Sequence, residues 1–440
     1  MLTEEAVSTY QIRGHLASVV TPFLAAAAMG VRYQFANGVT VALLVALALA
    51  PVWLAEVRKF SRVPALLLVG LAAVGSGVLL TMLNTSRASS NTLLVAETLT
   101  LLSMLGAIGT LLWARTCIGS SAMALAFGLG SLASVALVGG NPANLWKYSL
   151  SVPVTIAVLS ARRKGGRVFE LFGLAALGLV SLSADSRSMA ALLVLTAVTV
   201  IWQIRPQSGT AGNRRWPTLA ALALFTYGAY ELLQSLILDG ILGEAARARS
   251  QAQIDATGSL IAGGRPELGA ATALISARWW GYGSGTIPTS SDVSIAKTGM
   301  SDLNYDPNNG YVESFMFGGH FEVHSVLGDL WIRFGLPGAI LAIALTGYCL
   351  LALVRRVAQR TASATAVFVV LLTLWNVLFS PLATSYRVLA LAVALLAIPL
   401  DRTDARDHRW LGASAGAIRT QSADGRGSQG ARPSARSLTG

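Results

Sequence analysis

Two of the four histidines of this chain, His320 and His324, lie four residues apart with Glu322 between them. In a helix both imidazoles would share one face, but metalloproteases use the order H-E-x-x-H, and the order here is H-x-E-x-H. A third ligand is not evident either, so we expect neither a metal nor another cofactor. A neutral imidazole near pH 7 can accept a proton from a hydroxyl, which makes His324 a candidate general base. The alternative is a structural or solvated histidine.

A second element with possible chemistry begins at Arg278 and continues as Trp-Trp-Gly-Tyr-Gly-Ser-Gly through Gly285. Three glycines in five residues favour a turn in which the backbone approaches a ligand. A dinucleotide-binding fingerprint is excluded, because the strand before it and the helix after it are missing. Tyr282 and the two tryptophans could equally form an aromatic belt at a membrane interface. Arg278 lies in a segment with more acids than bases, so a salt bridge is the alternative to anion binding.

A third element, Ser186-Arg187-Ser188, occupies a very short connection between two apolar segments. A lone arginine there commonly extends toward lipid head groups. A guanidinium also binds phosphate oxygens in a bidentate manner, and a lipid-linked diphosphate would present them at this depth. Arg187 and Arg278 would then hold a leaving diphosphate while His324 takes the proton of an acceptor hydroxyl. That combination describes glycosyl transfer from a polyprenyl diphosphate.

The elements that must position these residues are membrane-spanning helices. The 440 residues are 54% hydrophobic and only 12% charged, whereas soluble proteins carry about 25% charged residues. This composition argues against a soluble enzyme and against a disordered chain. Two cysteines exclude a disulfide scaffold. We predict an all-α polytopic protein with about twelve spans. They lie near 16–33, 38–56, 63–83, 92–113, 118–139, 147–161, 168–184, 188–204, 216–238, 335–354, 362–380 and 384–400.

The connections between these spans carry fourteen Lys and Arg residues on one side and five on the other, which places both termini in the cytoplasm. The net charge of +12 is therefore a topology signal, and we expect no nucleic-acid partner. Residues 1–238 would hold nine spans, 239–323 an outer (periplasmic) loop, 324–400 three spans with an interfacial extension, and 401–440 a disordered cytoplasmic tail. Within the loop we expect 241–262 to be helical and 281–311 irregular.

Next to the outer loop, we expect a helix that begins near His320 and breaks at Gly335, Pro337 and Gly338. Asp329 and Arg333 would then form an i, i+4 ion pair on the interfacial extension.

These residues resemble the O-antigen ligase and polysaccharide polymerase family of bacterial inner-membrane proteins. His324-Ser-Val-Leu followed by the Gly335-Leu-Pro-Gly break is similar to the family's His-Asn-x-x-Leu motif, with Ser325 in place of Asn and the leucine one position early. Ser186-Arg187-Ser188 resembles a Ser-Arg-Gly motif that opens a helix, with Ser188 in place of Gly. Arg278 precedes a Gly-x-Gly turn as the family's arginine does. The resemblance covers roughly residues 90–400.

The resemblance implies metal-independent transfer of a glycan from undecaprenyl diphosphate to an acceptor hydroxyl, with His324, Arg187 and Arg278 essential. Lipid A core is one possible acceptor, and membrane lipids surround the site on the outer face of the inner membrane. We add a second set as candidates for substrate binding: Arg265, His320, Glu322, Tyr282 and Arg387. A polymerase or a protein-glycan ligase of the same family is an alternative. A transporter or flippase is the alternative from another class, although the predicted span interiors hold few charges.

Overall fold

The regular elements of this protein are helices. The computed structural model describes residues 18–161, 166–204, 243–257 and 265–400, with scattered positions between 217 and 239, and in those residues β-structure is limited to isolated bridges. We number the helices with assigned bounds α1 to α14. They are Ser18–Gly30, Val41–Ala48, Ala50–Val57, Val63–Leu83, Asn91–Val138, Ser151–Ser160, Gly166–Ser183, Arg187–Trp202, Glu244–Thr257, Glu267–Ala277, Ser290–Ser301, Val326–Ala358, Ala364–Phe379 and Leu382–Leu396.

Five of these helices, α4, α5, α7, α8 and α12, are long and apolar enough to cross a membrane. Three further apolar helices, α1, α13 and α14, are shorter and coincide with predicted spans. The structure therefore supports an all-helical, multi-pass membrane protein, while the count of twelve spans stays a prediction. The predicted span 216–238 lies mostly outside the described residues, and the predicted tail 401–440 lies wholly outside them.

Two of the long helices contain a break at a glycine with positive φ. Gly119 (φ 82°) divides α5 between the predicted spans 92–113 and 118–139. Gly335 (φ 67°) divides α12, which confirms the break expected there. Only glycine adopts such conformations at little cost because it has no Cβ. The helix before Gly335 begins at Val326 and not near His320, so the prediction for its start was wrong.

Residues in several of the predicted cytoplasmic connections donate hydrogen bonds to backbone carbonyl groups at the end of α14. Arg115 donates to the carbonyl oxygens of Ala394 and Ala397, at 2.7 and 2.8 Å. Arg356 donates to the carbonyl of Leu395 at 2.8 Å, and the amide of Ser61 donates to Ile398 at 2.9 Å. Cationic side chains at a helix C-terminus interact favourably with its exposed carbonyl groups. Three connections that the sequence assigns to one side therefore meet around the end of α14.

The segment 281–311 is more regular than the sequence suggested. It contains α11, whose first turn is closed by a capping box between Thr289 and Asp292. α10 and α11 pack closely, since a Cβ at Gly269 would lie 2.0 Å from the carbonyl oxygen of Gly299. A small apolar core separate from that of the bundle forms here, from Ala270, Leu274, Tyr282, Ala296, Met300, Val312, Met316, Phe317, Phe321, Val323 and Ile332 among others.

Candidate functional site

His324 lies in a non-helical stretch immediately before α12. Its backbone is left-handed (φ 51°), which costs a residue with a side chain roughly 1 kcal/mol or more. Glu322 does not point away from the two histidines, as a helix would require. Its Oε2 lies 3.5 Å from His320 Nε2, and its Oε1 lies 3.8 Å from His324 Nε2. The sequence order His-x-Glu-x-His thus places one carboxylate between two imidazoles because the segment is not helical.

Hydrogen bonds on both sides of His324 hold its backbone in place. Asp329 Oδ1 accepts the amide of Val323 at 2.9 Å, and its Oδ2 accepts the amide of Leu382 at 2.8 Å. Arg333 Nε donates to the carbonyl of Phe321 at 2.7 Å. Ser325 caps α12 by accepting from the amide of Gly328, and its hydroxyl donates to the carbonyl of Val377. The residues on both sides of His324 are therefore fixed by hydrogen bonds, and these bonds maintain its left-handed conformation.

The predicted pair of Asp329 and Arg333 is present, with 3.5 Å between Oδ1 and Nη2. It is not a solvated interfacial pair, because the two residues are 1% and 2% exposed. Buried charges must be paired and hydrogen-bonded, and the backbone groups around His324 supply those bonds.

The electrostatics at His324 favour one tautomer of its imidazole. Glu322 lies on the Nε2 side, while Nδ1 is buried and has no hydrogen-bond partner. A carboxylate near Nε2 favours the proton on that nitrogen and leaves Nδ1 as the acceptor. Burial raises the pKa of Glu322, but its hydrogen bond with His320 and the positive charge of Arg333 outweigh burial and hold that pKa below its usual range. Glu322 is thus the ionised partner of the imidazole.

Tyr311 forms the wall of the site beside His324, with 6.1 Å between the two ring centroids. Its hydroxyl donates to Glu267 Oε1 at 2.7 Å. Burial, the charge of Glu267 and this hydrogen bond raise the pKa of Tyr311, which keeps the phenol protonated. Arg265 lies close enough to Tyr311 to oppose this shift. The guanidinium of Arg265 lies over the ring of Trp375 at 5.3 Å and donates to the carbonyl of Phe379 at 3.4 Å.

The guanidinium of Arg278 has a neutral hydrogen-bond partner. Its Nη1 donates to Asn84 Oδ1 at 2.9 Å, and its guanidinium lies over the rings of Trp280 and Tyr282, at 5.7 and 5.4 Å. Among the described residues, no carboxylate lies within salt-bridge distance of Arg278, whereas Arg87 nearby is fully paired with Asp292. Arg278 is therefore not ion-paired within the described part of the chain.

The glycines after Arg278 have a structural use. Gly281 and Gly283 have φ of 99° and 108°. A Cβ at Gly281 would lie 2.6 Å from the Cα of Gly335, and one at Gly283 would lie 2.6 Å from the amide nitrogen of Thr81. We expected this turn to let the backbone approach a ligand. The close approach that the structure shows is to the protein's own backbone at the break of α12 and the end of α4.

Two of the predicted substrate-binding side chains are buried. Tyr282 is 1% exposed, and its hydroxyl donates to the carbonyl of Leu274 at 3.2 Å. Arg387 is 7% exposed, lies over the ring of Tyr386 at 4.4 Å and donates to the carbonyl of Val31 at 3.1 Å. In this conformation Tyr282 supports the guanidinium of Arg278, and Arg387 joins α14 to the connection after α1. Direct contact of either with substrate stays a prediction.

Arg187 contacts a different set of residues. It is the first residue of α8, and its guanidinium lies 3.7 Å from Asp185 Oδ1 and donates to the Ser250 hydroxyl at 3.0 Å. These contacts connect Arg187 to α9, while the contacts of His320, Glu322, His324 and Arg265 connect those residues to one another and to Tyr311. The described contacts thus form one group around His324, a second around Arg278, and a third around Arg187.

Sequence reasoning missed Glu267, Tyr311 and Asn84, which contact the predicted residues. Tyr311 and Glu267 are 44 positions apart, and Asn84 and Arg278 are 194 apart, so no local pattern reveals these pairs. The segment Val312–Met316 is a π-helix, a rare element that is frequent at functional sites, but it has no sequence signature here.

Within the residues that the structure describes, no group of three or more His, Cys, Asp or Glu side chains is arranged to hold a metal ion. No family model, curated protein or solved structure matches this chain.

Proposed function

We propose that this protein is a membrane glycosyltransferase that moves a glycan from a polyprenyl diphosphate, undecaprenyl diphosphate in a bacterium, to an acceptor hydroxyl. The bond between the sugar's anomeric carbon and the diphosphate oxygen breaks, and that oxygen keeps the electron pair. The acceptor oxygen bonds to the anomeric carbon, and its proton passes to His324. The products are polyprenyl diphosphate and the glycosylated acceptor. The reaction needs no metal ion, because arginines stabilise the charge that develops on the leaving diphosphate.

The imidazole of His324 is the observation that carries this proposal. Its Nδ1 is a buried acceptor without a donor, and its Nε2 faces a carboxylate. A buried polar atom without a partner costs roughly 1–3 kcal/mol. A substrate hydroxyl that donates to Nδ1 would remove that cost, and the negative charge of Glu322 would stabilise the imidazolium that forms after proton transfer. The clamps of Asp329, Arg333 and Ser325 hold the imidazole in place for this step.

Arg278 supports the proposal because its charge is available to a ligand. A neutral amide orients its guanidinium without neutralising it, and two aromatic rings lie beside it. Guanidinium groups bind phosphate oxygens in pairs. Arg187 has the weaker claim from geometry, because Asp185 already lies 3.7 Å away. Its role therefore rests on the resemblance of Ser186-Arg187-Ser188 to the O-antigen ligase motif. The location of all three residues on the outer (periplasmic) face of the inner membrane rests on the charge pattern of the connections.

The test uses the purified full-length protein, an undecaprenyl-diphosphate-linked oligosaccharide and three acceptors: lipid A core, the same lipid-linked oligosaccharide, and a protein carrier. We expect one of them to be glycosylated, and His324→Ala, Arg278→Ala and Arg187→Ala each to lower transfer at least a hundredfold. Arg247→Ala is the matched control, because Arg247 is a half-exposed arginine on α9 whose ion-pair partner among the described residues is the exposed Glu244. EDTA should leave transfer intact. Near-native transfer by folded His324→Ala protein would overturn the mechanism.

If no acceptor is glycosylated, the same preparation in proteoliposomes tests the other class of function. Movement of the lipid-linked oligosaccharide across the bilayer without any transfer product would indicate a flippase.

A further inference from the structure

The site next to His324 contains a second buried acceptor without a donor. Glu267 Oε1 accepts the Tyr311 hydroxyl at 2.7 Å, but Glu267 Oε2 is buried and has no hydrogen-bond partner. Few buried polar atoms in native structures lack partners, and each one calls for a physical reason. Glu267 contacts the hydroxyl of Tyr311, and His324 lies beside the ring of Tyr311. The two unpaired atoms, Glu267 Oε2 and His324 Nδ1, therefore belong to residues around the same phenol. Two unpaired acceptors around one phenol fit a ligand that donates several hydrogen bonds.

An exposed aromatic ring lies beside these acceptors. Phe315 is 65% exposed, and its ring is stacked on that of Tyr311 with 5.6 Å between centroids and 30° between planes. Phe315 belongs to the π-helix Val312–Met316, and Tyr311 immediately precedes that helix. A large exposed aromatic side chain loses the benefit of burial. An aromatic surface with a few fixed polar groups is the usual composition of a ligand site.

We propose that Glu267, Tyr311 and Phe315 form a sugar-binding subsite that places a ring of the acceptor beside His324. Hydroxyl groups of the sugar donate to Glu267 Oε2, and its apolar C–H face rests on the ring of Phe315. The hydroxyl that reacts donates to His324 Nδ1. That this sugar is the glycosyl acceptor rests on the proposed function. The subsite implies in addition that the acceptor presents a carbohydrate hydroxyl, and not one of a protein side chain.

The chemistry of the subsite selects a carbohydrate over the other acceptors. A serine or threonine side chain offers one hydrogen-bond donor. A sugar ring offers several hydroxyl donors on one rigid frame, enough to donate to Glu267 Oε2 and His324 Nδ1 at once. The carboxylate of Glu267 disfavours a phosphate or another anion at this point, because like charges repel. The guanidinium of Arg265, whose charge acts on Tyr311, is already directed to the carbonyl of Phe379. The subsite is therefore distinct from the Arg278 region proposed for the diphosphate.

Binding is tested without turnover, by saturation-transfer NMR on the detergent-solubilised full chain. The probes are the methyl glycosides of glucose, galactose, mannose and N-acetylglucosamine. We expect saturation transfer to at least one probe in the wild type, and at least a tenfold loss of affinity in Phe315→Ala and in Glu267→Gln. Gln at position 267 keeps an oxygen for the Tyr311 hydroxyl and replaces the unpaired oxygen by an amide donor. Phe172→Ala is the matched control, since Phe172 on α7 is 73% exposed.

The outcomes separate this inference from the proposed function. Equal signals from Phe315→Ala and Phe172→Ala, or no signal from any glycoside, would overturn the subsite. If the protein binds sugar in a way that depends on Phe315 but has no transfer activity, the subsite is supported and the proposed glycosyltransferase function is contradicted. In an active enzyme, we expect Phe315→Ala to raise KM for the acceptor at least tenfold and to leave KM for the lipid-linked donor unchanged. An unchanged acceptor KM would likewise remove the subsite. Thermal unfolding of every variant is measured as well, to check that each one is folded.

Discussion

Arg333 Nη1 donates to Glu97 Oε2 at 2.6 Å, although 236 positions separate the two residues in the chain. This bond joins the first segment of α12, which follows His324, to the second turn of α5. Arg333 is 2% exposed and Glu97 is 9% exposed. The same guanidinium reaches Asp329 and the carbonyl of Phe321. One buried cation thus connects the backbone around His324 to the bundle.

The Arg333–Glu97 bond predicts coupled stability effects. Glu97→Leu removes the shorter ion pair of a buried guanidinium and leaves it the weaker one with Asp329 at 3.5 Å, and we expect a loss of about 3 kcal/mol in the free energy of unfolding. In the double variant with Arg333→Met, no uncompensated cation remains at this position. Its loss should be smaller than the sum of the two single losses by at least about 1 kcal/mol. Unfolding titrations in mixed micelles measure all four proteins, and strict additivity would show that the two groups do not interact.

The carboxylate of Glu322 predicts a pH-dependent contribution to stability. Its pKa in the folded protein lies below the ordinary value of 4.5, so the ionised form favours the folded state. This contribution is complete above the ordinary value and is lost as the pH falls through the folded pKa. Glu322→Gln should therefore lower the unfolding midpoint at about pH 7, and the difference from wild type should shrink as the pH falls below 4.5 and through the folded pKa. Glu244→Gln, at a side chain 79% exposed, is the control. A pH-independent difference would contradict the ionised pair.

Asn84 predicts a way to neutralise Arg278 without removing it. Asn84→Asp has nearly the same shape and replaces the neutral partner of Arg278 by a charged one. A salt bridge would then compete with the diphosphate, and we expect KM for the lipid-linked donor to rise about tenfold, equivalent to about 1.4 kcal/mol. Asn141→Asp is the control, because the oxygen that caps the amide of Ala143 is retained. An unchanged donor KM would remove Arg278 from the diphosphate site.

The turn after Arg278 predicts unequal effects of two similar substitutions. Gly281→Ala would place a methyl group 2.6 Å from the Cα of Gly335 at a residue with φ of 99°, and we expect a loss of at least about 2 kcal/mol. Gly75 lies within α4 with nothing near its Cβ position, so Gly75→Ala should stabilise by up to about 1 kcal/mol. Thermal unfolding in detergent measures both, and equal midpoints would contradict the close contact at Gly281.

The sequence was sufficient for the positions of several of the apolar helices. Val63–Leu83 coincides with the predicted span 63–83, because a run of about twenty apolar residues without charge has few alternatives. The break at Gly335 was likewise visible from Gly-x-Pro-Gly. The capping box at Thr289 and Asp292 was a local signal for α11 that the Gly- and Ser-rich composition obscured.

The site depended on contacts that no local pattern encodes. His320, Glu322 and His324 were recognisable as residue types, but their geometry depends on Asp329, Arg333 and Ser325, which keep the segment out of the helix. The pairing of Arg333 with Glu97 depends on which helices become neighbours. The location of Glu267 beside Tyr311 depends on the packing of α10 near the π-helix. These are tertiary relationships between segments that are distant in the chain.

The predicted orientation of the chain in the membrane rests on the distribution of Lys and Arg between the connections. Asn309 and Thr361 are exposed residues in connections assigned to opposite sides. In a Cys117→Ser background, which removes the exposed native cysteine and leaves the buried Cys349, each position can carry a single accessible cysteine. In intact bacterial cells, a membrane-impermeant maleimide should label Asn309→Cys and should reach Thr361→Cys only after permeabilisation. The reverse pattern would invert the topology and place His324 in the cytoplasm. Labelling of both in intact cells would show that the two connections share one side, which the alternation of charge forbids.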